Sequence, residues 1–365
     1  MTMQPKAHSW IEGLAPYKAG KAKVDGVENP VKLSANESTY GPSPKALEAY
    51  QKEAVSLHRY PDPASSELSY AIARVHNLDA RRILCGAGSD EILTLLIHSF
   101  AGPEDEIIHS QYGFAVYPIQ AQAVGARSIA VPNKDWAADV DGILAAVTAR
   151  TKLVFIDNPN NPTGAYVPWA EIKRLHAGLP AHVILVLDAA YGECADAEDY
   201  QAGEALVEAF DNVIMTRTFS KLYALAALRV GWAYGSEAIL DPLHRVRMPF
   251  NVNTAAQAAA LAAVDDQEHL KKAVFYNKKW REILTAELVA MGLNVVPSQT
   301  NFLLVEFPEG TAENVYEYLM KNGYILRYLP GQGLPNHIRL TIGSEQENNS
   351  VIALIKECMN GSGYE

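Results

Sequence analysis

A lysine with reactive neighbours lies near the middle of the chain. Lys221 directly follows Ser220, and Arg229 comes eight residues after the lysine. The apolar, β-branched run at residues 212–217 predicts a buried strand, so the serine and the lysine lie in the loop at its end. A lysine amine held beside a hydroxyl and an arginine can form a Schiff base with a carbonyl cofactor. Taken alone, a surface lysine in a strand-to-helix turn explains the same residues.

Two loops elsewhere in the chain carry groups that could hold a ligand. Gly88, Ser89 and Asp90 lie between a predicted strand and a helix, and backbone amides at a helix N-terminus form a cradle for phosphate. A simple capped helix start is the alternative. Residues 157–164, Asp-Asn-Pro-Asn-Asn-Pro-Thr-Gly, are too rich in turn formers for a strand or helix interior, and they offer Asn161 as a fixed side-chain donor. A plain multi-turn loop would explain the prolines but not the asparagines.

A carboxylate ends one of the most apolar runs of the chain. Residues 183–187 are Val-Ile-Leu-Val-Leu, Asp188 follows them, and Tyr191 comes three residues later. Burying a carboxylate at a strand end is unfavourable unless it meets a cation or a strong donor. A protonated pyridine nitrogen is such a partner, and Asp188 would keep it protonated. The alternative is that Asp188 is the N-cap of a helix.

These residues fall on a regular alternation of strands and helices, which predicts an α/β fold. Between residues 80 and 235, apolar runs alternate with amphipathic segments, as is typical of a mostly parallel sheet covered by helices on both faces. Such a sheet binds ligands at the carboxyl ends of its strands and in the loops that follow. The predicted strands span residues 82–85, 105–109, 126–131, 152–157, 183–188, 212–217 and 230–234.

The C-terminal third has a different pattern. A helical pattern covers residues 253–291, the segment 294–307 follows, and helices over 311–321 and 344–359 flank a predicted strand pair at 324–328 and 337–342. This order predicts a smaller α+β domain. The predicted organisation is an N-terminal arm (1–40) that joins the small domain, a large cofactor-binding domain (41–250) and a small C-terminal domain (251–365).

Composition excludes several classes of protein. The 365 residues carry a net charge of −11, which argues against a nucleic-acid-binding surface. Cys85, Cys194 and Cys358 are an odd number of cysteines without close spacing, so neither a disulfide framework nor a metal site is expected. The N-terminus has no apolar run, so we expect no signal peptide and no membrane span. A cytoplasmic protein is therefore predicted.

In combination, the motifs resemble the fold-type-I pyridoxal-phosphate aminotransferases. Asn-Pro-Thr-Gly at 161–164, Asp-x-x-Tyr at 188–191, and Ser-Lys at 220–221 with Arg229 occur in that family's order. The resemblance covers nearly the whole chain, and it implies pyridoxal 5'-phosphate as the cofactor and a homodimer with shared active sites. One departure is that the family usually has Gly-Leu-Arg where this chain has Ala-Leu-Arg, at 227–229. Alanine fits most backbone conformations, so only a small local shift is expected.

The resemblance implies a role for each residue of these motifs. Lys221 would carry the cofactor as a Schiff base and move a proton between substrate and cofactor, and Asp188 would pair with the pyridine nitrogen. Tyr191 and Asn161 would hydrogen-bond the phenolate oxygen. The other implied cofactor contacts are Ser220, Arg229 and the amides of Gly88, Ser89 and Asp90 at the phosphate, Tyr112 stacked on the pyridine ring, and Tyr60 reaching the phosphate from the neighbouring subunit.

Within that family, the closer resemblance is to the histidinol-phosphate aminotransferases. It rests on Leu-Ala-Pro-Tyr at 14–17, Lys-Leu-Ser-Ala-Asn-Glu at 32–37, Arg-Tyr-Pro-Asp at 59–62 and Ile-Arg-Leu-Thr-Ile-Gly at 338–343. It implies transamination between histidinol phosphate and 2-oxoglutarate, giving imidazole acetol phosphate and glutamate. The implied substrate-binding residues are Tyr17, Asn161, Arg327 and Arg339.

The two arginines lie on predicted neighbouring strands, and a pair of guanidinium groups suits a phosphate or the carboxylates of glutamate. An edge-strand arginine that faces water is the alternative for each of them. Three other functions stay open at this point. They are an aminotransferase for phenylalanine and tyrosine, a decarboxylase of a phosphorylated amino acid, and a cofactor-binding regulator without catalysis. The regulator would need a DNA-binding module, for which the acidic chain has no spare segment.

Overall fold

The fold is built on a seven-stranded sheet, accompanied by a smaller four-stranded sheet and a two-stranded pair. A computed structural model describes residues 5–16 and 20–361. The strands in these residues are β1 (Val31–Lys32), β2 (Ile83–Gly86), β3 (Glu106–Ser110), β4 (Arg127–Val131), β5 (Thr151–Asp157), β6 (Ile184–Asp188), β7 (Val213–Thr218), β8 (Gly231–Gly235), β9 (Asn294–Val295), β10 (Phe302–Glu306), β11 (Tyr324–Ile325), β12 (Arg327–Leu329) and β13 (Leu334–Thr341).

The large sheet has the strand order β2-β8-β7-β6-β5-β3-β4. β8 runs antiparallel to both of its neighbours, and the other strands all run in one direction. Each predicted strand of this sheet lies within one residue of the observed strand. The predicted α/β fold with a mostly parallel sheet is therefore confirmed.

Both faces of the sheet are buried, as the central strand β6 illustrates. Leu185 and Leu187 belong to the apolar core on one face, while Ile184 and Val186 belong to the core on the other face. Successive side chains of a strand point to opposite faces, so an apolar strand requires cover on both sides. The carboxyl ends of the parallel strands remain as the edge at which polar residues can gather.

Helices cover the large sheet and also pack on the smaller one. In the described residues they are α1 (Ser9–Glu12), α2 (Pro44–Lys52), α3 (Ser66–His76), α4 (Ser89–Phe100), α5 (Val116–Ala123), α6 (Val140–Ala146), α7 (Trp169–Gly178), α8 (Glu204–Ala209), α9 (Glu237–Val246), α10 (Thr254–Asp265), α11 (Gln267–Ala290), α12 (Ala312–Lys321) and α13 (Glu345–Met359). Within the described part of the chain, none of these helices is long and apolar enough to cross a membrane.

The C-terminal third departs from its predicted pattern at two places. The helical segment 253–291 is divided into α10 and α11 at Asp266, which binds the Ser43 hydroxyl and the Lys45 ammonium group at the start of α2. The strand predicted over 324–328 is also divided, because β11 pairs with β1 whereas β12 pairs with β13. The prediction of a single strand over residues 324–328 was therefore wrong.

The N-terminal segment is joined to the C-terminal third through backbone pairing. β1 lies parallel to β11, with Val31 opposite Tyr324, and the four-stranded sheet has the order β12-β13-β10-β9. α10 packs instead into the core of the large sheet, where Ala256 and Ala260 are fully buried. The domain boundaries derived from the sequence stay predictions.

Candidate active site

A cleft of about 360 Å³ opens at the carboxyl ends of β5, β6 and β7. Its walls come from these strand ends, from the start of α4, from residues 32–37 and from β12 and β13. Parallel strands present ligand-binding residues at this edge. The structure brings ten predicted site residues to the cleft: Ser89, Asp90, Asn161, Asp188, Tyr191, Ser220, Lys221, Arg229, Arg327 and Arg339.

The turn after β7 places Lys221 in the cleft. Two backbone N–H groups hold this turn: that of Phe219 donates to Val230 O and that of Ser220 donates to Thr218 Oγ1, both at 3.1 Å. Lys221 is half-buried, and its Nζ lies 5.3 Å from the centre of the Tyr191 ring. An amine in this position, inside a cleft rather than on the surface, is placed to react with a bound carbonyl compound.

Asp188 ends β6 and is buried in the cleft wall. Its Oδ2 accepts from the Tyr117 hydroxyl at 2.8 Å, and its Oδ1 accepts from the Thr216 hydroxyl at 3.1 Å. Burial raises the pKa of the Asp188 carboxyl to about 6, although these hydrogen bonds oppose the rise. The next helical turn, Gly192–Cys194, has Tyr191 rather than Asp188 at its N-cap. The geometry thus fits a carboxylate that meets a cationic N–H group of a ligand.

Asp157 is a second buried carboxylate, to which the sequence analysis assigned no role. It ends β5 and is the register partner of Asp188. Its Oδ1 accepts from Asn160 Nδ2 and its Oδ2 accepts from the backbone N–H of Asn161, both at 3.0 Å. Burial, with a further contribution from the charge of Asp188, raises the pKa of Asp157 to about 7. The carboxyl group therefore holds the turn that presents Asn161. Its position at a strand end was the available signal.

Two glycines give the predicted phosphate cradle its shape. Gly88 precedes α4 with a φ of +80°, which glycine adopts without strain. A Cβ on Gly88 would lie 2.5 Å from Arg229 Nη2. A Cβ on Gly231 would lie 2.4 Å from the backbone N of Ser89. Any larger residue would therefore fill the space around the first amides of α4.

Arg229 closes the cradle opposite the helix start. Its Nη1 donates to Ser220 Oγ at 3.3 Å, and its Nη2 donates to Asp90 Oδ2 at 3.1 Å. A helix N-terminus, a hydroxyl and a guanidinium group thus converge, and together they form a donor set that suits a phosphate. Ala227 lies in the 3-10 turn Ala226–Leu228, which leads directly into the arginine.

Arg327 and Arg339 are register partners on β12 and β13, so the predicted neighbouring strands are present. Arg339 is buried, and its Nη1 donates to Asn161 Oδ1 at 2.5 Å while its Nη2 donates to Ser34 O at 2.8 Å. Arg327 is half-buried and also lines the cleft. Two guanidinium groups therefore lie on the wall that faces the turn carrying Asn161.

Asn36 is a site residue that the sequence analysis quoted only as part of a motif. Its Nδ2 donates to the Tyr191 hydroxyl at 2.8 Å, and its backbone is held by Thr341 and Asn301. Burial raises the pKa of the Tyr191 hydroxyl, so this group stays protonated at neutral pH and can donate to a ligand. No local pattern could reveal this contact, because it joins residues that are 155 positions apart.

The predicted stacking residue, Tyr112, is not among the residues that line the cleft, so its role stays a prediction. Its ring stacks on Trp136 with centroids 6.0 Å apart and packs against the core around Leu334. Phe114 lines the cleft instead, with its ring 5.8 Å from that of Tyr117. The turn between β3 and α5 carries both aromatic residues, and their spacing alone does not decide which ring points inward.

Two other predicted residues, Gly88 and Tyr60, lie outside the lining of the cleft. Gly88 contributes through its backbone, as described above. Tyr60 is 81% exposed and stacks on Phe250 at 4.5 Å, at the surface of its own chain. Tyr17 lies outside the described residues. The roles predicted for these residues stay predictions.

The comparisons with known proteins also indicate an aminotransferase. The family described as "Aminotransferase class I and II" matches residues 28–355. The chain is 47% identical over 362 residues to the histidinol-phosphate aminotransferase of Maricaulis maris (strain MCS10), covering 98% of this chain and 99% of that protein. It is 48% identical over 360 residues to that of Rhodopseudomonas palustris (strain HaA2), with the same coverage. The crystal structure of histidinol-phosphate aminotransferase from Sinorhizobium meliloti, in complex with pyridoxal-5'-phosphate, is similar with a TM-score of 0.91 and 28% identity over 99% of both chains.

Proposed function

Because the chain belongs to the class I and II aminotransferases, we propose that it transfers the amino group of histidinol phosphate to 2-oxoglutarate. The products are imidazole acetol phosphate and glutamate, and the reaction is a step of histidine biosynthesis. The observation that carries the proposal is the similarity to histidinol-phosphate aminotransferases, at 47% and 48% identity over 98% of the chain. The cleft supports it with an amine, a buried carboxyl group, a phosphate cradle and two arginines.

Pyridoxal 5'-phosphate fits the cleft. When bound, it supplies an electron sink that stabilises the carbanion formed as the substrate loses its Cα proton. The cradle that a Cβ on Gly231 would fill suits its phosphate, and the buried acid Asp188 suits its ring nitrogen. The residues that would hold it are Ser89, Ser220 and Arg229 at the phosphate, Asp188 at the ring nitrogen, Asn161 and Tyr191 at the ring oxygen, Phe114 at the ring face, and Lys221 through its amine.

Lys221 supplies the proton transfer. Its Nζ lines the cleft, 5.3 Å from the centre of the buried Tyr191 ring. From there an amine could take the Cα proton of a bound amino compound and deliver it to the cofactor carbon bonded to the same nitrogen. Positioned general acid–base groups of this kind contribute about 10²–10⁴-fold to a rate. Tyr191, held by Asn36, stays protonated and orients the ring oxygen.

Arg327 and Arg339 recognise the anionic end of each substrate. The first substrate carries a phosphate, and glutamate carries a carboxylate in the corresponding place. A guanidinium group can bind either a phosphate or a carboxylate through paired N–H donors. Because Arg339 is buried and held by Asn161 and Ser34, its position is fixed before the substrate binds.

We further propose a homodimer in which Tyr60 reaches the phosphate site of the partner. The segments around Tyr60 and Phe250 expose several large apolar side chains, which suits a surface covered by a second copy. These side chains are Val55 (83% exposed), Leu57 (76%), Tyr60 (81%) and Met248 (71%). A cytoplasmic location is proposed as well, since the reaction belongs to amino-acid biosynthesis.

Specificity constants measured side by side test the proposed function. The purified protein is assayed with 2-oxoglutarate and, in turn, histidinol phosphate, phenylalanine and tyrosine. We expect histidinol phosphate to give the highest kcat/KM. A higher value for either aromatic amino acid would identify an aromatic aminotransferase, and release of carbon dioxide from a phosphorylated amino acid would identify a decarboxylase.

A further inference from the structure

One carboxylate in the cleft is not explained by the cofactor or by the arginines. In the described part of the chain, four acidic residues line the cleft: Glu37, Asp90, Asp157 and Asp188. Asp90 pairs with Arg229 at the cradle, Asp157 holds the turn at Asn161, and Asp188 suits the ring nitrogen. Glu37 has none of these tasks.

Glu37 lies on the wall where the substrate would be held. The segment 32–37 is fixed at two points, since Ser34 O accepts from Arg339 and the neighbour Asn36 donates to Tyr191. Glu37 therefore belongs to a rigid piece of backbone that runs between the arginine that recognises the anion and the tyrosine beside Lys221. Its side chain is 45% exposed, so a bound molecule can reach it.

Lys32 holds the Glu37 carboxylate without occupying all of it. Lys32 Nζ lies 3.0 Å from Glu37 Oε1. A carboxylate offers about four lone-pair positions on two oxygens, so one ion pair leaves capacity for another donor. The cleft thus presents an anionic acceptor in the same cavity as the Lys221 amine.

Resting on the proposed function, we infer that Glu37 accepts a hydrogen bond from the imidazole N–H of histidinol phosphate. Two arms extend from the carbon that bears the amine: one carries the phosphate and the other carries the imidazole. If the arginines bind the phosphate arm, the imidazole arm needs an acceptor elsewhere on the wall. Glu37 would then distinguish an imidazole from a phenyl ring, because a phenyl ring offers no N–H donor.

The two half-reactions supply an internal control. Glutamate passes through the same cleft but has no ring, so it does not need Glu37. The amino donors to compare are histidinol phosphate, the phosphate ester of phenylalaninol, and glutamate, each in a single-turnover half-reaction with the cofactor-loaded enzyme. The absorbance of the cofactor reports the rate. Substrate-concentration series separate the limiting rate from the half-saturating concentration, and the ratio of the two corresponds to kcat/KM.

In Glu37→Ala, kcat/KM for histidinol phosphate should fall about 10- to 100-fold, the range for a lost hydrogen bond to a charged group. The other two donors should change less than about threefold. Glu37→Gln keeps an acceptor oxygen without the charge, so its loss should be smaller and again confined to histidinol phosphate. This second variant also preserves the size of the side chain should Glu37→Ala fold poorly.

Lys32→Met is the matched control, because it breaks the ion pair and leaves the carboxylate in place. It should keep most of the preference for histidinol phosphate over the phenylalaninol ester. Equal losses for all three donors in Glu37→Ala, or the same selective loss in Lys32→Met, would overturn the assignment of Glu37. A wild-type enzyme inactive on histidinol phosphate would instead refute the proposed function, and this inference with it.

Discussion

Replacing Asp188 with asparagine should stabilise the cofactor-free protein at alkaline pH while it weakens catalysis. The pKa of Asp188 rises from 3.8 to about 6 because the carboxyl group is buried. For an acid, a folded-state pKa above the unfolded value means that stability is lost as the pH rises through the interval between the two. One pKa unit corresponds to about 1.4 kcal/mol, so the ionised carboxylate costs the cofactor-free fold about 3 kcal/mol at high pH.

Asparagine removes this titration, but it also changes the local hydrogen bonds. Asp188 accepts from the hydroxyls of Tyr117 and Thr216, and an amide nitrogen cannot accept. Hydroxyls can reverse direction and accept from the amide, so part of this loss is recovered. That part does not depend on pH, which is why the change of the stability difference with pH is the informative quantity.

The assay is urea unfolding of the cofactor-free wild type and Asp188→Asn at fixed protomer concentration, from pH 5 to pH 8. Roughly half of the 3 kcal/mol falls in this interval, so the stability of the variant relative to wild type should rise by about 1–1.5 kcal/mol. Adding pyridoxal phosphate should reverse the order, because only the wild type offers a carboxylate to a ring N–H. A stability difference that is constant across the pH range would show that Asp188 is not strained by its burial, and would refute the reasoning.

Three further predictions concern other parts of the site. Borohydride reduction of the yellow, cofactor-loaded protein should fix a pyridoxyl group on the peptide containing Lys221, and a label on any other peptide would contradict the assignment. Arg327→Leu should reduce kcat/KM for histidinol phosphate more than for phenylalanine, because a charge-assisted pair to phosphate is lost; equal reductions would make the arginine structural. Lys221→Ala and Tyr60→Ala, refolded together in equal amounts and assayed at low cofactor, should recover roughly a quarter of wild-type sites, because half of the dimers are mixed and each has one intact site. If no activity returns in a sample shown to contain mixed dimers, Tyr60 serves its own chain.

The large sheet was predictable because a strand that is buried on both faces must be apolar at nearly every position, and such runs are visible in the sequence. Runs such as residues 183–187 are apolar throughout, and no other arrangement explains them as well as a covered parallel strand. The polar residues that interrupt these runs then had to lie at strand ends, and there the structure places Asp188, Asn161 and Lys221. The chemistry of the cleft was therefore readable from local pattern together with the family resemblance.

What could not be predicted depends on side-chain direction and on long-range contacts. Tyr112 and Phe114 share one turn, and their spacing does not show that Phe114 lines the cleft while Tyr112 stacks on Trp136. The contact between Asn36 and Tyr191 requires the N-terminal segment to cross to the large sheet. The division of residues 324–329 into β11 and β12 follows from which partner strand is within reach, and periodicity carries no information on that.

The contacts of the N-terminal segment also have a consequence for the folding of the chain during its synthesis on the ribosome. Asn36 is held by Thr341, a residue 305 positions later in the chain. At synthesis rates of about 5–20 residues per second, the segment waits roughly 15–60 s for the partner that fixes it. Lys221, Asp188 and the phosphate cradle are all made before that moment. A nascent or prematurely ended chain that stops before β13 would therefore contain every residue proposed to bind the cofactor, yet lack Arg339 and the contact that fixes Asn36. Translation of the last strand is thus the step that supplies the remaining residues of the cleft wall.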